Sequence, residues 1–168
     1  MPAIEEKPVF RAFTQKWNIV VNKMISDIYL KSGENIISVK ALWDTGATRT
    51  CISPDCVKSL NLIATGHCTN MTASGPTEAK TYLVDVLLPN KVIVSDVMVT
   101  DAKIGEQGFD VLIGMDLIAC GDFSVSNYQS QTVLSFRIPS KKMTDYVQEI
   151  NVENMIGTHG KGKKKKKK

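Results

Sequence analysis

The sequence has no long hydrophobic run, and this absence limits what the chain can be. None of its 168 residues falls in a stretch approaching the ~20 apolar residues that span a bilayer. No apolar run follows a basic cap near the start, so we expect no secretory signal and a cytoplasmic protein. The hydrophobic content of 43% is typical of a chain that folds around one core.

Cysteine and histidine are too sparse to predict a metal site. The chain contains four cysteines and two histidines. Cys51 and Cys56 are spaced more widely than the paired ligands of common zinc ribbons. His67 and Cys68 are adjacent, so on a strand their side chains would point to opposite faces. We therefore predict free thiols and no metal.

Positive charge is concentrated at one end of the chain. The formal net charge is +4, yet residues 1–140 carry twelve basic and fourteen acidic side chains. Residues 161–168 are all lysine except Gly162. Such a run repels itself and is expected to be disordered. One interpretation is contact with nucleic acid or an anionic membrane. The alternative, which is the usual behaviour of charge runs, is a solvated tail without a partner.

Short apolar segments between turn residues predict an all-β domain. The predicted strands are residues 19–30, 36–43, 50–52, 68–72, 78–88, 92–100, 109–113, 123–125 and 132–138. Ser53 and Pro54 predict the start of a short helix that ends at Leu60. Residues 115–120 could form one or two further helical turns. We expect the domain to occupy residues 17–140, after an N-terminal extension at 1–16. A basic tail at 141–168, with a short helix and then polylysine, would follow.

Two segments carry the chemical signal. Asp44-Thr45-Gly46-Ala47 follows the apolar strand that ends at Trp43. A carboxylate there is costly to bury without a hydrogen bond, and glycine permits a sharp turn around it. Such a loop also occurs by chance at strand ends. Downstream, however, comes Val111-Leu112-Ile113-Gly114, followed by Met115 and Asp116.

The two motifs, in this order and spacing, resemble the retropepsin family of retroviral-type aspartic proteases. The resemblance covers about residues 17–139, and Gly114-Met115-Asp116 is similar to the form in retrotransposon and bacterial relatives. It implies an all-β fold, a closed β-barrel-like monomer with one or two short helices and a flap hairpin. It also implies hydrolysis of polypeptide substrates without a cofactor.

The resemblance further implies a homodimer, because the chain has one Asp-Thr-Gly and the chemistry needs two carboxylates. Asp44 would be the catalytic residue of each chain. Thr45 would hydrogen-bond across the two-fold axis, Gly46 would allow close approach, and Ala47 would leave room beside the site. In the family the chain termini build the interface, so residues 132–138 are the predicted interface strand, together with part of the segment before Ile19.

The remaining family roles fall on the hairpin and on the second motif. Ile113, Gly114 and Asp116 would support the catalytic loop, with Asp116 capping a helix rather than serving as a third acid. Met115 stands where viral relatives often carry an arginine that braces the dimer. The predicted substrate-binding flap comprises Met71, Thr72, Ala73, Ser74, Gly75, Pro76 and Thr77.

Two other interpretations remain open. The chain could be a retropepsin-fold module that dimerises or binds peptides with little or no proteolytic activity, since fold does not fix function. The intact Asp44 motif favours the enzyme, because a binding module has no need for a costly pair of facing acids. The chain could also be a processing domain released from a larger polyprotein.

Overall fold

The structure is a computed structural model that describes residues 9–72 and 75–160. Ala73 and Ser74 of the predicted flap and the lysine run at 161–168 lie outside the described residues. The strands are β1 (Arg11–Trp17), β2 (Ile25–Ser32), β3 (Asn35–Trp43), β4 (Cys51–Ile52), β5 (Gly66–Thr72), β6 (Gly75–Leu87), β7 (Ile93–Asp101), β8 (Val111–Ile113), β9 (Asp122–Tyr128) and β10 (Gln131–Ile138). The helices are α1 (Pro54–Ser59), α2 (Met115–Ile118) and α3 (Tyr146–Gly160), and a 3-10 turn spans Gly105–Gln107.

Six strands close into a barrel, which confirms the predicted all-β fold. Their order is β2-β3-β8-β4-β7-β6, and β6 returns to pair with β2, where Leu30 lies opposite Val86. Both of these side chains are fully buried. Side chains alternate across each strand, so every second residue of a barrel strand faces the core. β5 extends the sheet beyond the barrel as the partner of β6.

A second sheet, in the order β1-β10-β9, packs against the barrel through aromatic side chains. Phe13, Phe136 and Phe123 come one from each strand and surround Trp43, with ring centroids 5.6, 5.1 and 5.8 Å from it. Trp43 is only 2% exposed, and its indole N–H donates to Ser26 Oγ at 2.9 Å. Burial of this ring with its donor satisfied anchors the end of β3.

The second sheet differs from the sequence prediction in its first strand. β1 begins at Arg11, inside the predicted extension at 1–16, and pairs with β10 along its whole length. Its inward positions, Phe13, Gln15 and Trp17, include one polar residue, which weakens the alternation expected of a strand. β10 is the central strand, with β1 and β9 on its two sides. Both of its edges are therefore paired within the chain, and the placement of 132–138 in a dimer interface stays a prediction.

The helices are short or peripheral. In α1, Ser53 Oγ accepts from the Cys56 N–H at 3.3 Å and Pro54 occupies the first turn, as predicted. α3 follows the domain and exposes apolar side chains such as Val147 and Met155. None of the helices in the described part of the chain is both long and apolar enough to cross a membrane.

Candidate active site

Asp44 lies at the point where β3 leaves the barrel. β3 and β8 run parallel, with Trp43 opposite Ile113. The Asp44 N–H continues this pairing by donating to the Ile113 carbonyl oxygen at 3.0 Å. Trp43, the residue before Asp44, is held in place by its buried ring. The Asp44 side chain itself is half-buried. The carboxylate therefore stands at the open end of a rigid pair of strands.

The loop after Asp44 turns tightly around the carboxylate. The Gly46 N–H donates to Asp44 Oδ1 at 2.8 Å, and the Ala47 N–H donates to the Asp44 carbonyl oxygen at 3.2 Å. A Cβ atom on Gly46 would lie 3.1 Å from Asp44 Oδ1. Glycine therefore lets the backbone donor approach the carboxylate, and the donated bond orients it.

The second motif, at Gly114 to Asp116, contacts the loop after Asp44 through backbone atoms. The Met115 N–H donates to the Ala47 carbonyl at 2.8 Å, and the Asp116 N–H donates to the Thr48 carbonyl at 3.3 Å. A Cβ atom on Gly114 would lie 2.6 Å from the carbonyl carbon of Arg49. No side chain fits in this space, so the contact between the motifs requires glycine.

Thr50 joins the two motifs through its side chain. Its Oγ1 donates to Asp116 Oδ1 at 2.8 Å and accepts from the Gly114 N–H at 3.1 Å. Its N–H donates to Asp116 Oδ2 at 2.9 Å. The sequence analysis did not single out Thr50. The available signal was a hydroxyl residue at the start of a buried strand, because such a group needs a partner.

Asp116 does more than the predicted capping. Gly114 occupies the N-cap position of α2, and Asp116 Oδ1 accepts from the Leu117 N–H at 3.0 Å within the helix. Its carboxylate also accepts both hydrogen bonds from Thr50. Asp116 therefore connects the start of α2 to Thr50, just after the Asp44 loop, and this contact is additional to the predicted helix capping.

Other polar groups near the loop do not add a nucleophile. Burial, and then the charges of Asp116 and Asp44, raise the pKa of the Cys51 thiol to about 11. Cys51 therefore stays protonated near neutral pH and is a poor nucleophile. Within residues 9–72 and 75–160, no three His, Cys, Asp or Glu side chains come together as metal ligands. Thr45 is exposed, and its side chain has no hydrogen-bond partner among the described residues.

The predicted flap coincides with the end of the hairpin formed by β5 and β6. Met71 lies opposite Pro76, and Thr72 lies opposite Gly75. Gly75 has a φ of +109°, a backbone conformation that residues with a Cβ atom rarely adopt. Met71 is 79% exposed. Its role as a substrate contact stays a prediction, as do the family roles of the residues in the two motifs.

Several solved structures are similar to this chain. They include a retropepsin-like aspartic protease from Rickettsia conorii, with 16% identity, a TM-score of 0.49, and coverage of 79% of this chain and 98% of that one. The Simian Foamy Virus (mac) protease has 18% identity and a TM-score of 0.42 over 57% and 92% of the chains. The EIAV protease, complexed with the inhibitor HBY-793, has 14% identity and a TM-score of 0.45 over 60% and 92%. No curated protein sequence matches the chain significantly.

The family comparison agrees with the motifs. The model of the gag-polyprotein putative aspartyl protease family matches residues 34–119. This segment runs from the turn before β3 to the end of α2, so it contains both Asp44 and Gly114 with the strands that bring them together. It covers half of the chain, and the predicted resemblance to retropepsin-like aspartic proteases is confirmed. The chain belongs to the gag-polyprotein putative aspartyl protease family.

Proposed function

We propose that this chain is an aspartic endopeptidase that acts as a homodimer, in which each copy supplies Asp44. The observation that carries this proposal is the Asp44 loop, where a half-buried carboxylate is oriented by the Gly46 N–H at 2.8 Å. The second motif holds the same loop from behind. One chain offers one such acid, whereas water activation by a carboxylate pair needs two.

Two facing Asp44 carboxyl groups would share one proton, because like charges at such short range cannot both ionise. The ionised carboxylate takes a proton from a water molecule, which attacks the carbonyl carbon of the scissile peptide bond. The protonated carboxyl group donates a hydrogen bond to the carbonyl oxygen. The C–N bond then breaks as the amine receives a proton, and the pair returns to its singly protonated state. The two apparent pKa values belong to the pair.

An extended polypeptide is the substrate class that we propose. The hairpin of β5 and β6 extends past the barrel, and β5 is the terminal strand of its sheet. An edge strand can pair with an extended peptide through backbone hydrogen bonds, leaving alternate side chains to determine specificity.

Cleavage of a mixed peptide library between pH 3 and 8 tests the proposed activity. We expect cleavage by the wild-type protein and none by Asp44→Asn, with dimerisation of both followed by sedimentation. A confirmed wild-type dimer that cleaves nothing would instead support a peptide-binding module. Cleavage that persists in Asp44→Asn would refute the assigned catalytic residue.

A mixing experiment tests whether two copies share one site. With a ninefold excess of Asp44→Asn chains, random pairing leaves about one wild-type chain in ten with a wild-type partner. We therefore expect activity per wild-type chain to fall to about 10% of its unmixed value under conditions where dimers exchange. If each chain carried a complete site, the excess would leave this activity unchanged.

A further inference from the structure

A side-chain hydrogen bond attaches the hairpin of β5 and β6 to the barrel. Asn70 Nδ2, on β5, donates to Thr100 Oγ1, on β7, at 3.0 Å. Asn70 Oδ1 accepts from the Cys68 thiol at 3.6 Å, which helps to fix the orientation of the amide. Asn70 is half-buried and Thr100 is 1% exposed. The bond is therefore partly shielded from competing water.

This contact requires the hairpin to bend back over the barrel. In the sheet, β6 separates β5 from β7, and Gly66, Thr81 and Thr100 lie side by side. Asn70 is four residues beyond Gly66, and in an extended strand this places it roughly 13 Å further along. Its amide can reach Thr100 only if the hairpin folds towards β7. The Asn70–Thr100 bond thus defines where β5 lies above the barrel.

Thr100 continues this connection to the catalytic loop. The Thr100 N–H donates to the Thr50 carbonyl oxygen at 3.2 Å. Thr50, in turn, binds the carboxylate of Asp116 and the N–H of Gly114. A continuous set of hydrogen bonds therefore runs from β5, through β7, to the residues that hold the Asp44 loop.

We propose that Asn70 is a positioning residue that sets the distance between β5 and the catalytic loop before a substrate binds. This inference rests on the proposed endopeptidase function, in which a peptide lies between the hairpin and Asp44. An amide bonded to a hydroxyl group is uncharged, so the connection depends on geometry and not on pH. A preset distance means that peptide binding does not have to order the hairpin.

Removing the bond should weaken substrate binding more than chemistry. The hairpin would contact the peptide in the ground state and in the transition state alike, and loss of such uniform binding raises KM. For Asn70→Leu and Thr100→Val we expect KM to rise roughly three- to tenfold, the effect of one neutral hydrogen bond, with kcat nearly unchanged. Thr100→Ser keeps the acceptor oxygen and should retain a KM near the wild-type value.

The pattern of kinetic constants separates positioning from a general effect on folding. A variant that is only partly folded has less active enzyme, so its apparent kcat falls while its KM stays constant. Thr69→Val is the matched control, because it removes the Thr69–Glu78 hydrogen bond within the hairpin, one residue from Asn70. Its KM should stay at the wild-type value. The double variant Asn70→Leu/Thr100→Val should be no worse than either single variant.

Hydrogen exchange provides a test that needs no catalysis. In the free protein, Asn70→Leu and Thr100→Val should accelerate amide exchange within residues 66–72, while β2 and β3 keep their protection. Unchanged exchange in this segment would overturn the inference, as would a Thr100→Ser variant that behaves like Thr100→Val. If the wild-type protein cleaves no peptide, the proposed function fails, yet the exchange result still decides whether Asn70 positions β5.

Discussion

Thr50→Val should destabilise the protein although valine has almost the same shape as threonine. Thr50 is fully buried, and its Oγ1 both donates to Asp116 and accepts from the Gly114 N–H. Valine removes both hydrogen bonds and leaves the buried Gly114 N–H without that acceptor. Asp116 loses less, because it still accepts from the Leu117 N–H.

The expected loss follows from these two hydrogen bonds. A buried donor left unsatisfied costs about 1–3 kcal/mol, and the lost bond to a carboxylate adds about 1.5 kcal/mol. The methyl group that replaces the hydroxyl returns about 1 kcal/mol through burial of apolar surface. We therefore expect the free energy of unfolding to fall by about 1.5–3.5 kcal/mol.

Thr50→Ser is the matched control, because it keeps the hydroxyl and removes only a buried methyl group, which costs about 1 kcal/mol. Urea unfolding, followed by the fluorescence of the two tryptophans, measures both variants at one protein concentration, since dimerisation would couple stability to concentration. A Thr50→Val variant as stable as Thr50→Ser would refute the idea that this hydroxyl holds the two motifs together.

Three further predictions concern other parts of the structure. Gly114→Ala should lower the free energy of unfolding by about 1–3 kcal/mol, because the added Cβ would clash with the Arg49 backbone. Gly105→Ala is the control and should change the free energy of unfolding far less, because its added Cβ would meet only ordinary contacts. Equal urea midpoints for the two variants would contradict this prediction. Iodoacetamide at pH 8 should modify the exposed Cys120 well before Cys51, whose pKa is about 11; mass spectrometry of timed samples would show any reversed order. Hydrogen bonds from Ser140, Lys141 and Arg137 lower the pKa of Asp122 from its ordinary 3.8, so its stabilising contribution is present above about pH 4 and is lost as the pH falls below that value. Asp122→Asn should therefore show a weaker decline of stability between pH 4 and 2 than the wild type, as measured by urea unfolding at each pH, and an equal decline would exclude this origin.

The sequence was sufficient to predict an all-β domain and to locate the two motifs, because their signals are local, whereas the barrel was predicted only through the family resemblance of those motifs. An apolar segment after turn residues identified β3, and Ser53 with Pro54 identified the start of α1. β1 was missed because Gln15 interrupts its inward face, and tertiary packing of Phe13 against Trp43 compensates. Only the pairing of β10 on both sides shows that this strand has no free edge, and no local pattern encodes which strand lies at the centre of a sheet.

The candidate site divides in the same way. Asp44 and Gly114 could be found from the sequence, since each belongs to a short motif, although the reason that position 114 must be glycine is the Arg49 backbone, which only the fold brings close. The hydrogen bonds of Thr50 and Asn70 could not, because their partners lie 66 and 30 residues away along the chain. A hydroxyl or amide group in a strand indicates that a partner is needed, but only the fold determines which group supplies it.

The residue that would perform the chemistry can be distinguished experimentally from the residues that hold it in place. Asp44 is oriented by backbone donors, so Asp44→Asn can remove a charge while most of the loop's support remains. Thr50 and Gly114 contact each other and the residues that follow the Asp44 loop, so we expect changes there to lower stability and to displace Asp44 together. Activity lost without loss of stability would therefore identify a residue of the reaction, whereas coupled losses would identify its support. Asn70 is expected to differ from both groups, because the effect of its substitution should appear in KM while kcat stays nearly constant.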